Sequence, residues 1–260
     1  MALLEVQDIV IRFGGVTAVA GVSFDVAERQ ICGLIGPNGA GKTTTFNCIS
    51  GIYRPNSGAV RFNGQDITGE PKHRMTGFGI GRTFQNLALF RSMTVRENVL
   101  AGAHSSGHTG FVASAFSLPQ VRREAAEAAA HARQLLALLN LERVADAPVS
   151  ALPFGWQKRV EMARALISRP KLLLLDEPAG GLNHGEVDEL AVLLGEIRRN
   201  FDLSILLVEH HMSLVMRVSD KVVALDFGKK IADGTPHEVR SDPEVIRAYL
   251  GGGDEHADAA

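Results

Sequence analysis

The segment Gly36-Pro37-Asn38-Gly39-Ala40-Gly41-Lys42-Thr43 fits the spacing G-x-x-x-x-G-K-[ST] at every required position. Glycines at these places let the backbone bend so that successive N–H groups point inward at the oxygens of a phosphate chain. A helix beginning at the loop's end adds its positive N-terminal end. In that setting the Lys42 ammonium reaches the β- and γ-phosphates of a nucleotide, and the Thr43 hydroxyl ligates Mg²⁺. The chemistry expected is binding of MgATP. Thr44 is placed to touch phosphate as well, whereas Thr45 reads as helix packing. A chance Gly-rich turn is the bland alternative. Context weighs against it, because the apolar run Ile31 to Ile35 precedes the loop and a helix-forming segment follows.

A second group of residues could act on the bound phosphates. Lys171-Leu172-Leu173-Leu174-Leu175-Asp176-Glu177-Pro178 reads as a strand buried on both faces, since its apolar run is continuous rather than alternating. It delivers two carboxylates at its end, where ligands bind in open α/β sheets. Asp176 would complement Thr43 in holding Mg²⁺ through its water shell. Glu177 is placed to polarise the water that attacks the γ-phosphate. At a random strand end such a pair would be solvated charge; beside a phosphate loop the functional reading wins.

The elements that must position these groups can be read in outline. Residues 3–35 carry strands at Leu4, Val6, Ile9 and Ile11, then Val16 to Val26, then Ile31 to Ile35, separated by turns at Gly14-Gly15 and Glu28-Arg29. Strand, loop and helix follow over 31–51, with Gly51 where a helix would stop. A β segment Gly58 to Asn63 ends at the turn Asn63-Gly64. Thr94-Val95-Arg96-Glu97 has the spacing of a capping box. A helix from there is expected to fail in the Ser/Gly/His loop 104–110, and 121–141 has a strong helix composition. The middle of the chain is thus a mostly helical lobe inserted into an α/β chain. A helix at 155–168, a strand at 171–176, a helix at 185–199 and a strand at 203–209 restore the alternation. Two short strands and a small helix are expected over 218–250, and a disordered tail beyond.

Composition bounds the rest. The chain has 260 residues, 45% hydrophobic and 22% charged, with a formal net charge of -2, and its bases are not clustered as a nucleic-acid footprint would require. The N-terminus lacks the basic region and cleavage site of a signal peptide. No apolar run approaches the ~18 to 20 residues of a membrane-spanning helix, so any membrane spans would come from another chain. Cys32 and Cys48 read as buried reduced thiols rather than a disulfide.

Many nucleotide-binding folds share the two elements above, and Leu152-Pro153-Phe154-Gly155-Trp156-Gln157-Lys158-Arg159-Val160-Glu161 narrows the class. Here the sequence resembles the ATP-binding cassette (ABC) family over residues 3–251, with Gly155 matching the glycine of the LSGGQ signature. The resemblance implies an α/β fold: a P-loop NTPase core with an N-terminal antiparallel β subdomain and an inserted α-helical subdomain. It implies one domain over 1–251, its core at about 1–85 and 170–251, its signature lobe at about 90–168, and a disordered tail at 252–260. In the family the signature faces the γ-phosphate bound by another subunit, so that two cassettes sandwich two ATP molecules. A helix N-terminus offered to an anion is the physical reason.

Pro153 departs from the pattern, standing where the family usually has a serine, and Trp156 stands where it usually has Gln. Loss of the serine's charge-assisted hydrogen bond would weaken closure by ~1.5 to 3 kcal/mol, unless backbone N–H groups around Gly155 suffice. Trp156 either covers an apolar patch or faces the nucleotide. By the same resemblance, Gln85 in Gly81-Arg82-Thr83-Phe84-Gln85 is the glutamine that touches Mg²⁺ or water. His210 is the switch histidine at the γ-phosphate, Asn183 replaces an Asp at the dimer interface, and Phe13 sits where an aromatic stacks on adenine. Phe13 also suits an edge strand. Because neighbours at a strand end point different ways, a metal site from His210 and His211 is not expected. His104 and His108 lie in a loop with no helix to align them.

Within the family, Phe90-Arg91-Ser92-Met93-Thr94-Val95-Arg96-Glu97-Asn98-Val99, Val208-Glu209-His210-His211-Met212 and the ending Ile246-Arg247-Ala248-Tyr249-Leu250-Gly251 look like the subfamily that energises branched-chain amino acid uptake. The likeness is to the longer of its two ATP-binding partners. It implies a second ATPase subunit, two integral membrane permease subunits, indirectly an extracytoplasmic solute-binding protein, and a place on the cytoplasmic face of the cell membrane. Urea, amide and lipopolysaccharide systems share much of the pattern. Leu87, Leu89 and Phe90 are expected either to form an apolar docking pocket for a membrane subunit or to belong to the lobe's core. A soluble cassette ATPase would usually carry paired cassettes or long arms, and a GTPase an Asn-Lys-x-Asp motif; neither is present.

Overall fold

The computed structural model describes residues 2–83, 87–105 and 119–250. Gln85, His108 and the tail at 251–260 lie outside the described residues. In chain order the strands and helices are β1 (Ala2–Phe13), β2 (Val16–Ala27), β3 (Ile31–Ile35), α1 (Lys42–Ile49), β4 (Ser57–Phe62), β5 (Gln65–Asp66), α2 (Met75–Phe78), β6 (Ile80–Arg82), α3 (Val95–Ala101), α4 (Pro119–Leu138), α5 (Phe154–Leu166), β7 (Leu172–Asp176), α6 (His184–Phe201), β8 (Ser204–Val208), α7 (Met212–Val218), β9 (Lys221–Asp226), β10 (Lys229–Gly234), α8 (Pro236–Ser241) and α9 (Pro243–Leu250).

β1, β2, β4 and β5 make an antiparallel sheet, ordered β2-β1-β4-β5. The apolar residues of β1 fall at 4 and 6 and then at 9 and 11, a change of phase that would turn one pair outward in a regular strand. Asp8, at φ 44, absorbs the extra residue in a register shift between Val6 and Ile9. Its N–H donates to Ser23 Oγ at 2.8 Å, and Ser23 donates back to its carboxylate at 2.7 Å. All four apolar side chains therefore stay buried. The β4–β5 turn has Asn63 and Gly64 both at positive φ, as a two-residue hairpin loop requires.

A second sheet is ordered β10-β9-β3-β8-β7-β6; its neighbours run parallel except for β9 and β10. β3, β7 and β8 are buried along their whole length. Their alternate residues serve two cores: Leu172, Leu174, Leu206 and Leu34 join the first sheet and Phe46 of α1, while Leu173, Leu175, Leu207 and Ile35 join α3 to α6. That two-sided burial explains why these strands read as unbroken apolar runs. Cys32 and Cys48 are buried and unpaired in the first core, where burial pushes their thiols up to about 12 and about 11.

Between β6 and β7 the described residues hold helices and 3-10 turns rather than strands. The capping box at α3 is formed: Thr94 Oγ1 accepts the Glu97 N–H at 3.2 Å and Glu97 Oε2 accepts the Thr94 N–H at 2.8 Å. Thr94→Ala is expected to cost about 1 kcal/mol, lowering the calorimetric midpoint by about 2–4 °C while leaving ATP affinity unchanged.

Two expectations are corrected. The single small helix over 218–250 is two, α8 and α9, because Asp242 precedes Pro243 and is held extended at ψ 125. α7 follows β8 directly and was not expected. No helix among the described residues is long and apolar enough to cross a membrane.

Candidate functional site

β7, β8 and β3 are neighbours in the sheet and end on the same side, because they run parallel. Their C-terminal ends carry Asp176-Glu177, Glu209-His210 and Gly36 respectively. Topology alone thus converges the phosphate loop, the carboxylates and the histidine.

Gly36 to Gly41 leave β3 as a loop that only glycine permits at two positions. Gly36 has φ 149, and a Cβ there would lie 2.2 Å from the Leu225 carbonyl oxygen. Gly41 has φ 93, and a Cβ would lie 2.7 Å from the carbonyl oxygen of Ala18. The Gly36 N–H donates to Tyr249 Oη of α9 at 2.8 Å, and the Gly228 N–H to the Ala40 carbonyl at 3.1 Å. The loop is held from outside at both places. Lys42 is buried, and its Nζ donates to the carbonyls of Gly36 and Pro37 at 2.7 and 2.8 Å. Burial lowers its pKa and Glu177 partly restores it, so the ammonium is desolvated where it would meet a phosphate. Asn38, Gly39 and Thr43 are exposed and Thr44 is half-buried; Thr45 is fully buried, as packing requires.

Asp176 is 2% exposed. Its Oδ2 lies 3.6 Å from Arg82 Nη2, and its Oδ1 has no hydrogen-bond partner. Burial raises its carboxyl pKa, with Arg82 the main opposing influence. Arg82 is a residue that sequence reading passed over. It donates to Asn47 Oδ1 at 2.9 Å and to Ser50 Oγ, and lies 4.7 Å over the Phe46 ring, tying β6 to the helix of the phosphate loop and to Asp176. β6 has three residues, too short for a periodic signal.

Glu177 stands in the left-handed region at φ 48, uncommon for a residue with a long side chain. Its N–H donates to the Val208 carbonyl at 2.9 Å, and its own carbonyl accepts Lys158 Nζ at 3.0 Å and the Gly180 N–H at 3.1 Å. The side chain is partly open to solvent, with Oε1 3.9 Å from His210 Nδ1. His210 Nδ1 is also 3.7 Å from Glu209 Oε2. Glu209, also missed, is fully buried and accepts the N–H groups of Ala179 at 2.7 Å, His210 at 2.9 Å and His211 at 3.1 Å. A carboxylate so used is a brace rather than a base.

The expectation that His210 and His211 diverge is overturned. Their ring centroids are 4.5 Å apart at 35°. β8 ends at Val208, so strand alternation no longer governs residues 210 and 211.

Gly155 is elsewhere. It lies in the first turn of α5, which has Pro153 at its N-cap and no side-chain cap. A Cβ on Gly155 would meet Glu186 Oε1 at 2.8 Å and Leu182 Cδ2 at 3.5 Å, and Phe154 packs on Gly181. The signature-like turn is thus built against the segment that follows the two carboxylates, rather than against the phosphate loop.

The model of the family described as "ABC transporter" matches residues 19–180 of the chain. The chain belongs to this family. A second model, described as "Branched-chain amino acid ATP-binding cassette transporter", matches residues 229–255. The chain is 45% identical over 249 residues to the high-affinity branched-chain amino acid transport ATP-binding protein BraF of Pseudomonas aeruginosa, covering 96% of this chain and 98% of the other. It is 43% identical over the same length and shares to LivG of Escherichia coli, which bears the same description. Among solved structures it is similar to the ADP conformation of MJ1267, an ATP-binding cassette of an ABC transporter, with a TM-score of 0.84 at 32% identity over 96% of this chain and 99% of that one.

As an ABC transporter ATPase the chain binds and hydrolyses ATP. Phe13 is 47% exposed at the end of β1, its ring in a T-shaped pair with Tyr53, centroids 5.1 Å apart. Trp156 is half-buried and packs on the larger core. Leu89 also packs on that core, whereas Phe90 is 51% exposed.

Proposed function

We propose that this chain is the ATP-hydrolysing subunit of an importer for branched-chain amino acids, seated on the cytoplasmic face of the membrane. Supporting the solute class are the match at residues 229–255 and the relatives' descriptions. The single observation that carries the mechanism is the convergence of Lys42, Asp176, Glu177 and His210 at the ends of three adjacent strands.

In this reading the N–H groups from Gly36 to Thr44 and the ammonium of Lys42 bind the phosphates, and Phe13 stacks on adenine. The orphaned Oδ1 of Asp176 is a hard, buried oxygen of the kind Mg²⁺ takes, so the residues present fit the ion. Thr43, Asp176 and Gln85 would hold it, and when bound it would neutralise charge on the phosphate oxygens. Glu177 accepts a proton from the attacking water, with His210 fixing the water and the γ-phosphate. Gly155 and the first turn of α5 serve the ATP of a second cassette subunit, which makes each site whole only in the dimer. Residues of about 90–168 act as the signature lobe.

Closure of the dimer must be passed to permease subunits. Phe90 lines a groove with Ile52, Lys72, Met75, Gly102 and Arg164, between the lobe and the core. Fully buried Asn98 fixes it there, accepting the Phe90 N–H at 2.8 Å and donating to its carbonyl at 3.0 Å. Phe90→Asp is expected to abolish leucine uptake into vesicles holding the whole transporter and to release the chain from its membrane subunits, while ATP binding survives. Full uptake by that variant would remove the docking reading. Absence of leucine, isoleucine and valine uptake by the wild-type complex would remove the solute assignment.

A further inference from the structure

One side chain of the lobe enters the catalytic centre of its own chain. Lys158 lies on α5 one turn beyond Gly155, and its half-buried ammonium donates to the backbone carbonyl of Glu177 at 3.0 Å. The Phe154 ring, 5.3 Å from Nζ, covers it from the helix start. Burial lowers the Lys158 pKa, and Glu161, Glu209, Glu177 and Asp176 pull it back up. The positive charge is therefore held among four carboxylates while its hydrogen bond goes to an amide oxygen.

The target of that bond is significant. Glu177 holds a left-handed backbone at φ 48, which persists only where surrounding contacts over-determine it. Among the described residues three backbone bonds do so: its N–H to Val208, and its carbonyl shared by Gly180 N–H and Lys158. The first two come from the sheet and from the following turn. Among the described residues, only the third comes from the lobe. The direction in which the Glu177 carboxylate leaves the strand end is therefore fixed partly by where α5 sits.

We propose that Lys158 is a positioning residue that aims the Glu177 carboxylate and makes its aim depend on the seat of α5. This rests on the reading of Glu177 as the base and of the α5 first turn as the contact for a partner's ATP. One helix then offers its N-terminus to the opposite nucleotide and its fourth side chain after Phe154 to its own base. Docking of a phosphate at Gly155 in one site sets the base of the other.

The test is steady-state ATP hydrolysis by the full chain, with Lys158→Met and Lys158→Arg, each alone and in a Glu177→Gln background. Lys158→Met is expected to lower kcat about 10-fold, the scale of a slightly misplaced group, with KM for ATP within about 2-fold of wild type. Lys158→Arg, which keeps a cationic donor, is expected to restore most of that loss. In the Glu177→Gln background Lys158→Met is expected to add no further loss, because residues acting as a unit are not additive. An unchanged kcat in Lys158→Met, or the same 10-fold loss in the Glu177→Gln background, would overturn the proposal. Undiminished hydrolysis by Glu177→Gln alone would instead remove the base assignment beneath it. Where Lys158→Met unfolds at assay temperature, Lys158→Gln carries the same comparison with the same outcomes.

Discussion

Replacing Glu177 by Gln is expected to leave ATP bound and to lower its hydrolysis by about 100- to 10,000-fold, the contribution of a positioned general base. The amide keeps the size of the side chain and disturbs none of the backbone bonds to Val208, Gly180 and Lys158. What it removes is the proposed proton acceptor, 3.9 Å from His210. With closure intact and reopening slowed, the variant is expected to accumulate as a dimer in MgATP. Phosphate release and size-exclusion chromatography measure the two effects. Glu209 is no substitute, since it is fully buried and spends its oxygens on three N–H groups. Undiminished turnover in Glu177→Gln would place the base elsewhere.

Asp176→Asn is expected to separate stability from activity. Hydrolysis should fall at least about 100-fold, the several kcal/mol that a metal's charge contributes to such reactions. Yet the nucleotide-free chain should become more stable. Asp176 is buried, one of its oxygens has no partner, and burial raises its pKa despite Arg82. A group whose pKa is higher folded than unfolded binds more protons in the folded state. The stability that this adds is present at low pH and is lost as pH climbs from the ordinary Asp value through the raised one. At neutral pH the ionised side chain is a net burden, which Asn relieves while still offering Arg82 an oxygen. Thermal midpoints from pH 4 upward, without nucleotide, are expected to fall less for Asp176→Asn than for wild type. A variant less stable than wild type at pH 7.5 would show that the Arg82 pair outweighs desolvation.

Much of this site is local chemistry and was legible as such. The loop 36–43, the strand ending in Asp176-Glu177, the capping box at Thr94 and the turn at Asn63-Gly64 each declare themselves within a few residues. The antiparallel sheet, the parallel sheet and the helices inserted between β6 and β7 followed from pattern together with family resemblance. What escaped was made by distance in the chain. Arg82 meets Asp176 across 94 residues and Glu209 caps Ala179 across 30, and neither carries a flanking signal. The misjudged His210–His211 pair shows the same limit differently, since a strand rule was extended past the strand's end. Gly155 was set apart from the phosphate loop only because a family pattern was available.

The bond from the Gly36 N–H to Tyr249 joins residues 213 apart in sequence. During translation the helix that completes its support leaves the ribosome some 213 residues after Gly36 of the phosphate-binding segment. At ~5 to 20 residues per second, the interval is roughly 10 to 40 s. Over that time the nascent chain has the residues to grip a nucleotide without the contact that sets their shape. Maturation of the ATP site is thus timed by the synthesis of α9, and a stalled or shortened product would carry the motif without its final brace.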